Sequence, residues 1–134
     1  MPAGAVLLSP WVNPGNGGIA PPAEGSVDYL PPNLSQWARD YAGELSLDDP
    51  RVAPLYADLR GLPPLWILMG EAEALVSDAR ELARRARAHG VEVKLEVEPY
   101  QTHVFVFFEG RCSAGRWAIE RAGATVWHQT RSRG

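Results

Sequence analysis

The sequence predicts an α/β fold of parallel strands with flanking helices, and three observations carry that prediction. The apolar run LWILM at 65–69 fits a strand buried on both faces. A helical period at 78–89 follows it, and strict apolar–polar alternation at 91–97 follows the helix. Strand, helix and strand in this space make a βαβ unit, whose two strands run parallel. A further apolar run, AVLL at 5–8, supplies another buried strand.

Ser9-Pro10-Trp11 closes the strand at 5–8. Residues 12–33 are loop-rich, with Pro14, Gly15, Pro21, Pro22, Gly25, Pro31 and Pro32. Gly15-Asn16-Gly17-Gly18 is not a phosphate-binding turn, since no Lys-Ser/Thr follows and no helix opens there. Asn33 or Ser35 is placed to cap a helix running to about residue 43. Leu34, Trp37, Ala38 and Tyr41 form its apolar stripe, and Gly43 stops it. Residues 44–62 are loop-rich again, with turn signals at Asp49-Pro50 and Ala53-Pro54.

Gly70 ends the strand at 65–69. In the helix at 78–89, Ala79, Leu82, Ala83 and Ala86 share one face, and Arg80, Arg84 and Arg87 lie largely on the other. Ser77 or Asp78 is placed to cap it, and Asp78 with Glu81 has capping-box spacing. Glu81 and Arg85 form an i,i+4 pair of the favoured polarity, and Gly90 stands at the helix C-terminus. In the following strand Val91, Val93, Leu95 and Val97 face one way, and Glu92, Lys94, Glu96 and Glu98 the other. The apolar run at 104–108 is expected to pack beneath the preceding loop. Residues 112–127 form a last helix with Ile119, Ala122 and Val126 as its stripe, and 129–134 a frayed polar tail.

Composition excludes several classes of function. At 134 residues with 46% hydrophobic content, the chain suits one small globular domain. A net charge of −3 leaves no basic footprint for nucleic acid. Arg80, Arg84, Arg85 and Arg87 make a solvated helix face. No run is apolar and long enough to span a bilayer. The single Cys112 forms no internal disulfide and lacks the surroundings of a tuned thiolate, which fits a reducing, cytoplasmic compartment. The three histidines are too dispersed for a zinc site, so no metal is expected. His89 and His128 read as helix-end histidines, favourable with the dipole.

Glu73 and His103 are the candidate catalytic residues. Each lies in the loop leaving the carboxyl end of a strand of the βαβ unit, the edge where open α/β sheets place their sites. A carboxylate beside a histidine is the orienting half of a nucleophilic triad: it accepts the Nδ1 proton, fixes the tautomer and stabilises the imidazolium. Glu71 and Asp78 compete for the acid role. Glu71 is too close to the strand end, and Asp78 points along its helix.

These residues resemble a family. Glu73-Ala74-Leu75 matches the acid motif, and His103-Val104-Phe105 the histidine motif, of the hormone-sensitive-lipase-like esterases, the α/β-hydrolase fold-3 group. Their separation fits the family pattern. Ala5-Val6-Leu7-Leu8-Ser9-Pro10-Trp11, Asp49-Pro50-Arg51-Val52 and Gly61-Leu62-Pro63-Pro64 are phrases typical of the same group. The resemblance covers the chain to about residue 120. It implies a serine ester hydrolase acting on small-molecule esters of short to medium acyl chains, with no cofactor. One small departure is Ala53, where the family usually has Ser before the proline.

The family's nucleophile motif G-x-S-x-G and its H-G-G-G oxyanion loop occur nowhere in these residues. The triad order in this fold is Ser, then acid, then His, which places the serine before Met1. The expectation is therefore a truncated fold: residues 1–134 are the C-terminal portion of one α/β-hydrolase domain, supplying the acid and histidine of a Ser-Glu-His triad. The alternative is a non-catalytic, truncated or pseudoenzyme fragment. An unrelated α/β binding module fits less well, since no phosphate loop is present. A chain that lacks its neighbouring strands is also expected to self-associate, because 5–8 becomes an uncharged apolar edge.

Overall fold

The structure is a computed structural model and describes residues 2–15, 28 and 33–131. Its elements are β1 (Ala5–Leu8), α1 (Leu34–Ala42), β2 (Leu65–Gly70), α2 (Val76–Ala88), β3 (Val93–Glu98) and α3 (Ser113–Arg131). Short 3-10 turns occupy Pro54–Tyr56 and Phe105–Phe108. The three strands form one parallel sheet in the order β1-β2-β3. Ala5, Leu65 and Val93 lie side by side in the register, as do Leu7, Ile67 and Leu95.

β2 is central and every residue of it is buried, as its unbroken apolar run requires. Its side chains alternate between two cores. Leu65, Ile67 and Met69 pack with Leu75, Ala79, Leu82, Ala83 and Ala86 of the α2 layer and with Leu55 and Leu59. Trp66 and Leu68 pack on the other face with Phe105, Val106 and Ala118. The fold is thus a three-layer α/β unit, with α2 over one face of the sheet and α3 over the other.

β3 begins at Val93, two residues after the alternation does. Val91 precedes the strand and is still buried in the α2-side core, on which Val93, Leu95 and Val97 also pack. The polar face of β3 is not simply solvated. Glu96 is ion-paired to Lys94 at 2.7 Å and to Arg121 of α3. Burial pushes the Glu96 carboxyl up, but hydrogen bonding and the Lys94 and Arg121 charges outweigh it and hold the group below its usual value. Arg121 also stands over the Trp117 ring of its own helix, 4.6 Å from the centroid, so the side chain that ties α3 to β3 through Glu96 is itself held in place.

Several local expectations are corrected. α2 starts at Val76 with Leu75 at the N-cap, so Ser77 and Asp78 lie inside the first turn and cap nothing. Leu75 is buried, and its anchorage in the core sets the start of the helix in place of a polar cap. Glu81 pairs with Arg84 at 2.7 Å, one position nearer than Arg85. Asn33 occupies the N-cap of α1 but makes no side-chain cap bond. In α1 only Ala38 and Ala42 are buried; Trp37 is 48% and Tyr41 70% exposed.

The α3 stripe is also rotated from expectation. Gly115 and Ala118 are buried, flanked by Ala114, Trp117 and Ala122, while Ile119 and Val126 face outward. Small residues win this face because the helix approaches the Phe105–Phe108 turn closely. A Cβ on Gly115 would stand 2.9 Å from the Glu109 nitrogen and 3.0 Å from the Phe105 oxygen. Phe105 and Val106 are buried as expected, but Phe107 and Phe108 are exposed. Residues 129–131 continue α3, while 132–134 and residues Asn16, Gly17 and Gly18 lie outside the described residues.

A solution prediction arises here. Among the described residues β1 pairs on one side only, with β2, and Trp37, Tyr41, Phe107, Val126 and Trp127 are exposed. An apolar strand edge and large exposed apolar side chains both drive association. Purified 1–134 is expected to elute as oligomers with a broad thermal transition, measured by light scattering and calorimetry. A monodisperse monomer with a sharp transition would refute this.

Candidate active site

The site forms where β2 and β3 end. Gly70 closes β2 at a crossing, since a Cβ there would stand 2.3 Å from the Gln101 oxygen and 2.9 Å from the Thr102 oxygen. Only glycine lets the loop after β3 pass over the end of β2. Two backbone-anchored contacts hold the loops together there: Ala72 N–H donates to the Gln101 oxygen at 3.0 Å, and Tyr100 N–H to a Glu71 carboxylate oxygen at 3.3 Å. Glu71 is thus engaged at the rim. Asp78 lies in the first turn of α2.

Glu73 sits in the turn between β2 and α2 and is only 2% exposed. A carboxylate buried so deeply must be fully hydrogen-bonded, and it is. Oε1 accepts from the Ser9 hydroxyl at 2.6 Å and from Gly70 N–H at 2.5 Å. Oε2 lies 2.9 Å from His103 Nδ1. An ionised carboxylate only accepts, so Nδ1 carries the ring proton. The neutral ring then presents Nε2 as a base. The His103 side chain is 26% exposed, so the ring is accessible while its partner is not.

Two residues missed in the sequence complete the site. Ser9 is buried with φ +47°, and its hydroxyl both donates to Glu73 and accepts from Val104 N–H at 3.1 Å. Val104 also lies in the left-handed region, φ +47°, which is costly for a β-branched residue. The backbone is bent at both ends of this one hydrogen bond. Asp28 is the second: its Oδ1 accepts from His103 N–H at 2.7 Å and its Oδ2 from Ala74 N–H at 2.9 Å. The only sequence signal for Ser9 is a serine held between a buried strand and a proline. Asp28 has no local signal, because its partners are 46 and 75 residues away.

The other histidines lie elsewhere. His89 stands at the C-terminal end of α2, as expected, and its Nδ1 accepts Leu59 N–H at 3.1 Å, which ties a loop to the helix end. His128 lies in the last turn of α3. Among the described residues no three His, Cys, Asp or Glu side chains cluster as metal ligands. No helix there is long and apolar enough to cross a membrane.

A buried carboxylate, an oriented imidazole and an accessible second nitrogen form a proton-transfer pair. Comparison with known proteins places the chain in a family. A family model described as the alpha/beta hydrolase fold matches residues 1–107. An acetyl-hydrolase of Streptomyces hygroscopicus is 35% identical over 126 residues, 92% of this chain and 42% of its own length. A triacylglycerol lipase of Mycobacterium tuberculosis is 30% identical over 106 residues, 79% of this chain and 20% of its own length. The solved structure of an esterase from the bacterial hormone-sensitive lipase family superposes with a TM-score of 0.88 at 37% identity, over 96% of this chain and 44% of that one. The chain spans less than half the length of these relatives.

Proposed function

Since the chain belongs to the hormone-sensitive-lipase-like branch of the alpha/beta hydrolase fold family, we propose that it supplies the acid and the histidine of a serine carboxylic-ester hydrolase. The observation that carries this reading is the 2.9 Å contact between Glu73 Oε2 and His103 Nδ1, made across the carboxyl ends of two parallel strands. The 134 residues then form the C-terminal portion of one hydrolase domain. The nucleophilic serine and the oxyanion donors come from a segment outside them.

In this mechanism the serine oxygen attacks the ester carbonyl carbon as its proton passes to His103 Nε2. Glu73 holds the imidazolium through Nδ1 while the tetrahedral intermediate stands. The C–O bond to the alcohol breaks, and Nε2 returns the proton to the departing alkoxide. Water then repeats the sequence on the acyl-enzyme, giving the carboxylic acid and free serine. No step calls for a cofactor. The relatives are an acetyl-hydrolase, a triacylglycerol lipase and an esterase, which supports carboxylic esters as the substrate class.

The test is complementation. Residues 1–134 alone are expected to give no p-nitrophenyl butyrate turnover above imidazole background. Joined in one polypeptide to a relative's segment bearing G-x-S-x-G and H-G-G-G, they are expected to give saturable turnover. Hydrolysis by 1–134 alone that vanishes with one of its own serines would overturn the reading, and so would a fused protein that folds but stays inert.

A further inference from the structure

We propose that Asp28 is a positioning residue for this hydrolase, one carboxylate that sets the separation between the acid loop and the histidine loop. The inference rests on the triad reading above and adds a residue that neither the family motifs nor the triad geometry contains. The geometry is specific. Oδ1 takes the N–H of His103 itself, at 2.7 Å, and Oδ2 takes the N–H of Ala74, which directly follows Glu73, at 2.9 Å. The two oxygens of a single rigid group therefore clamp the backbone beside the base and the backbone beside the acid.

The chemistry requires a carboxylate. Both partners are backbone donors, so both side-chain atoms must accept, and only an ionised Asp or Glu offers that. An asparagine would satisfy one N–H and turn its own amide hydrogens against the other. Bonds to a charged acceptor are also about twice as strong as neutral ones. The neighbouring amide, Val104 N–H, is taken by the Ser9 hydroxyl, so two successive amides of the histidine loop are held by side chains from distant segments. Ser9 fixes the loop to the carboxylate of Glu73; Asp28 fixes it to the backbone that carries Glu73.

What the clamp controls is the approach of Nδ1 to Oε2, and through it the direction in which Nε2 points. A misplacement of about 1 Å at a reacting group costs on the order of a hundredfold in rate. Loosening the clamp therefore lowers kcat, with little effect on KM.

The test uses the active fusion described above. Asp28→Ala and the isosteric Asp28→Asn are compared with Leu82→Ala, which opens a cavity under α2 far from the loops. Both Asp28 variants are expected to lose about tenfold or more in kcat with KM within about twofold, the asparagine less than the alanine. Leu82→Ala is expected to lower Tm and leave kcat of the folded protein unchanged. Asp28→Glu, which keeps both acceptors, is expected to recover part of the rate. If His103→Ala abolishes turnover while both Asp28 variants keep their kcat, the triad reading stands and this inference fails. If His103→Ala keeps its rate, the triad reading fails and takes the inference with it.

Discussion

Replacing His103 with alanine is expected to lower kcat of the active fusion by about a millionfold, or about 8 kcal/mol of barrier. His103 Nε2 is the base that the proposed mechanism assigns to the serine proton. Glu73 cannot take it, since Oε1 is engaged by Ser9 and Gly70 and the side chain is fully buried. The fold should survive the change. His103 N–H keeps its bond to Asp28, because that contact is backbone, and Glu73 keeps two of its three hydrogen bonds. The melt is expected to stay cooperative at a lowered Tm, since Glu73 Oε2 loses its partner, and KM for a short ester to stay near its original value. Steady-state kinetics and a thermal melt on one preparation decide the matter: a variant that melts cooperatively yet turns over within about tenfold of the parent would remove His103 from the mechanism.

The strands and the pairing of Glu73 with His103 could be read in the sequence because each is a local pattern read by one rule. An unbroken apolar run marks β2, alternation marks β3, and both loops that leave the two strands at the same sheet edge follow from the βαβ connection. The residues that hold the pair could not be read that way. Ser9 matters through its backbone angle, which a pre-proline position does not predict, since that position favours extended backbone. Asp28 matters through two contacts of long sequence separation, and it lies in a stretch whose composition says only loop.

The helix faces show the same division. On α2 the apolar stripe and the buried face coincide, because the helix lies on the sheet through ordinary side-chain packing. On α3 they part, because the helix is drawn close to the backbone of the Phe105–Phe108 turn and the contact face must be small. Hydropathy favours Ile119 and Val126 for burial; the distance between backbones favours Gly115 and Ala118. A tertiary distance decided this, and no property of the α3 segment alone contains it.

Glu73→Gln is expected to cost about ten-thousandfold in kcat, about 5 kcal/mol, although it keeps shape and volume. The reason lies in the partners of Oε1. Gly70 N–H, at 2.5 Å, can only donate, so the single oxygen of a glutamine amide must take the Oε1 position. The Ser9 hydroxyl can rotate to suit either atom, but the Gly70 amide cannot. The glutamine NH2 then faces His103 Nδ1 across the 2.9 Å contact. An NH2 group donates, so Nδ1 must accept and the ring proton moves to Nε2. That is the nitrogen that has to receive the serine proton, and the base is blocked with every atom close to its place. The tautomer can be read directly by 15N NMR of the labelled imidazole at a pH where the ring is neutral: the parent should carry its proton on Nδ1 and the variant on Nε2. A variant that keeps the Nδ1 proton, or one that keeps its rate with the proton moved, would show that Glu73 does not act by setting the tautomer.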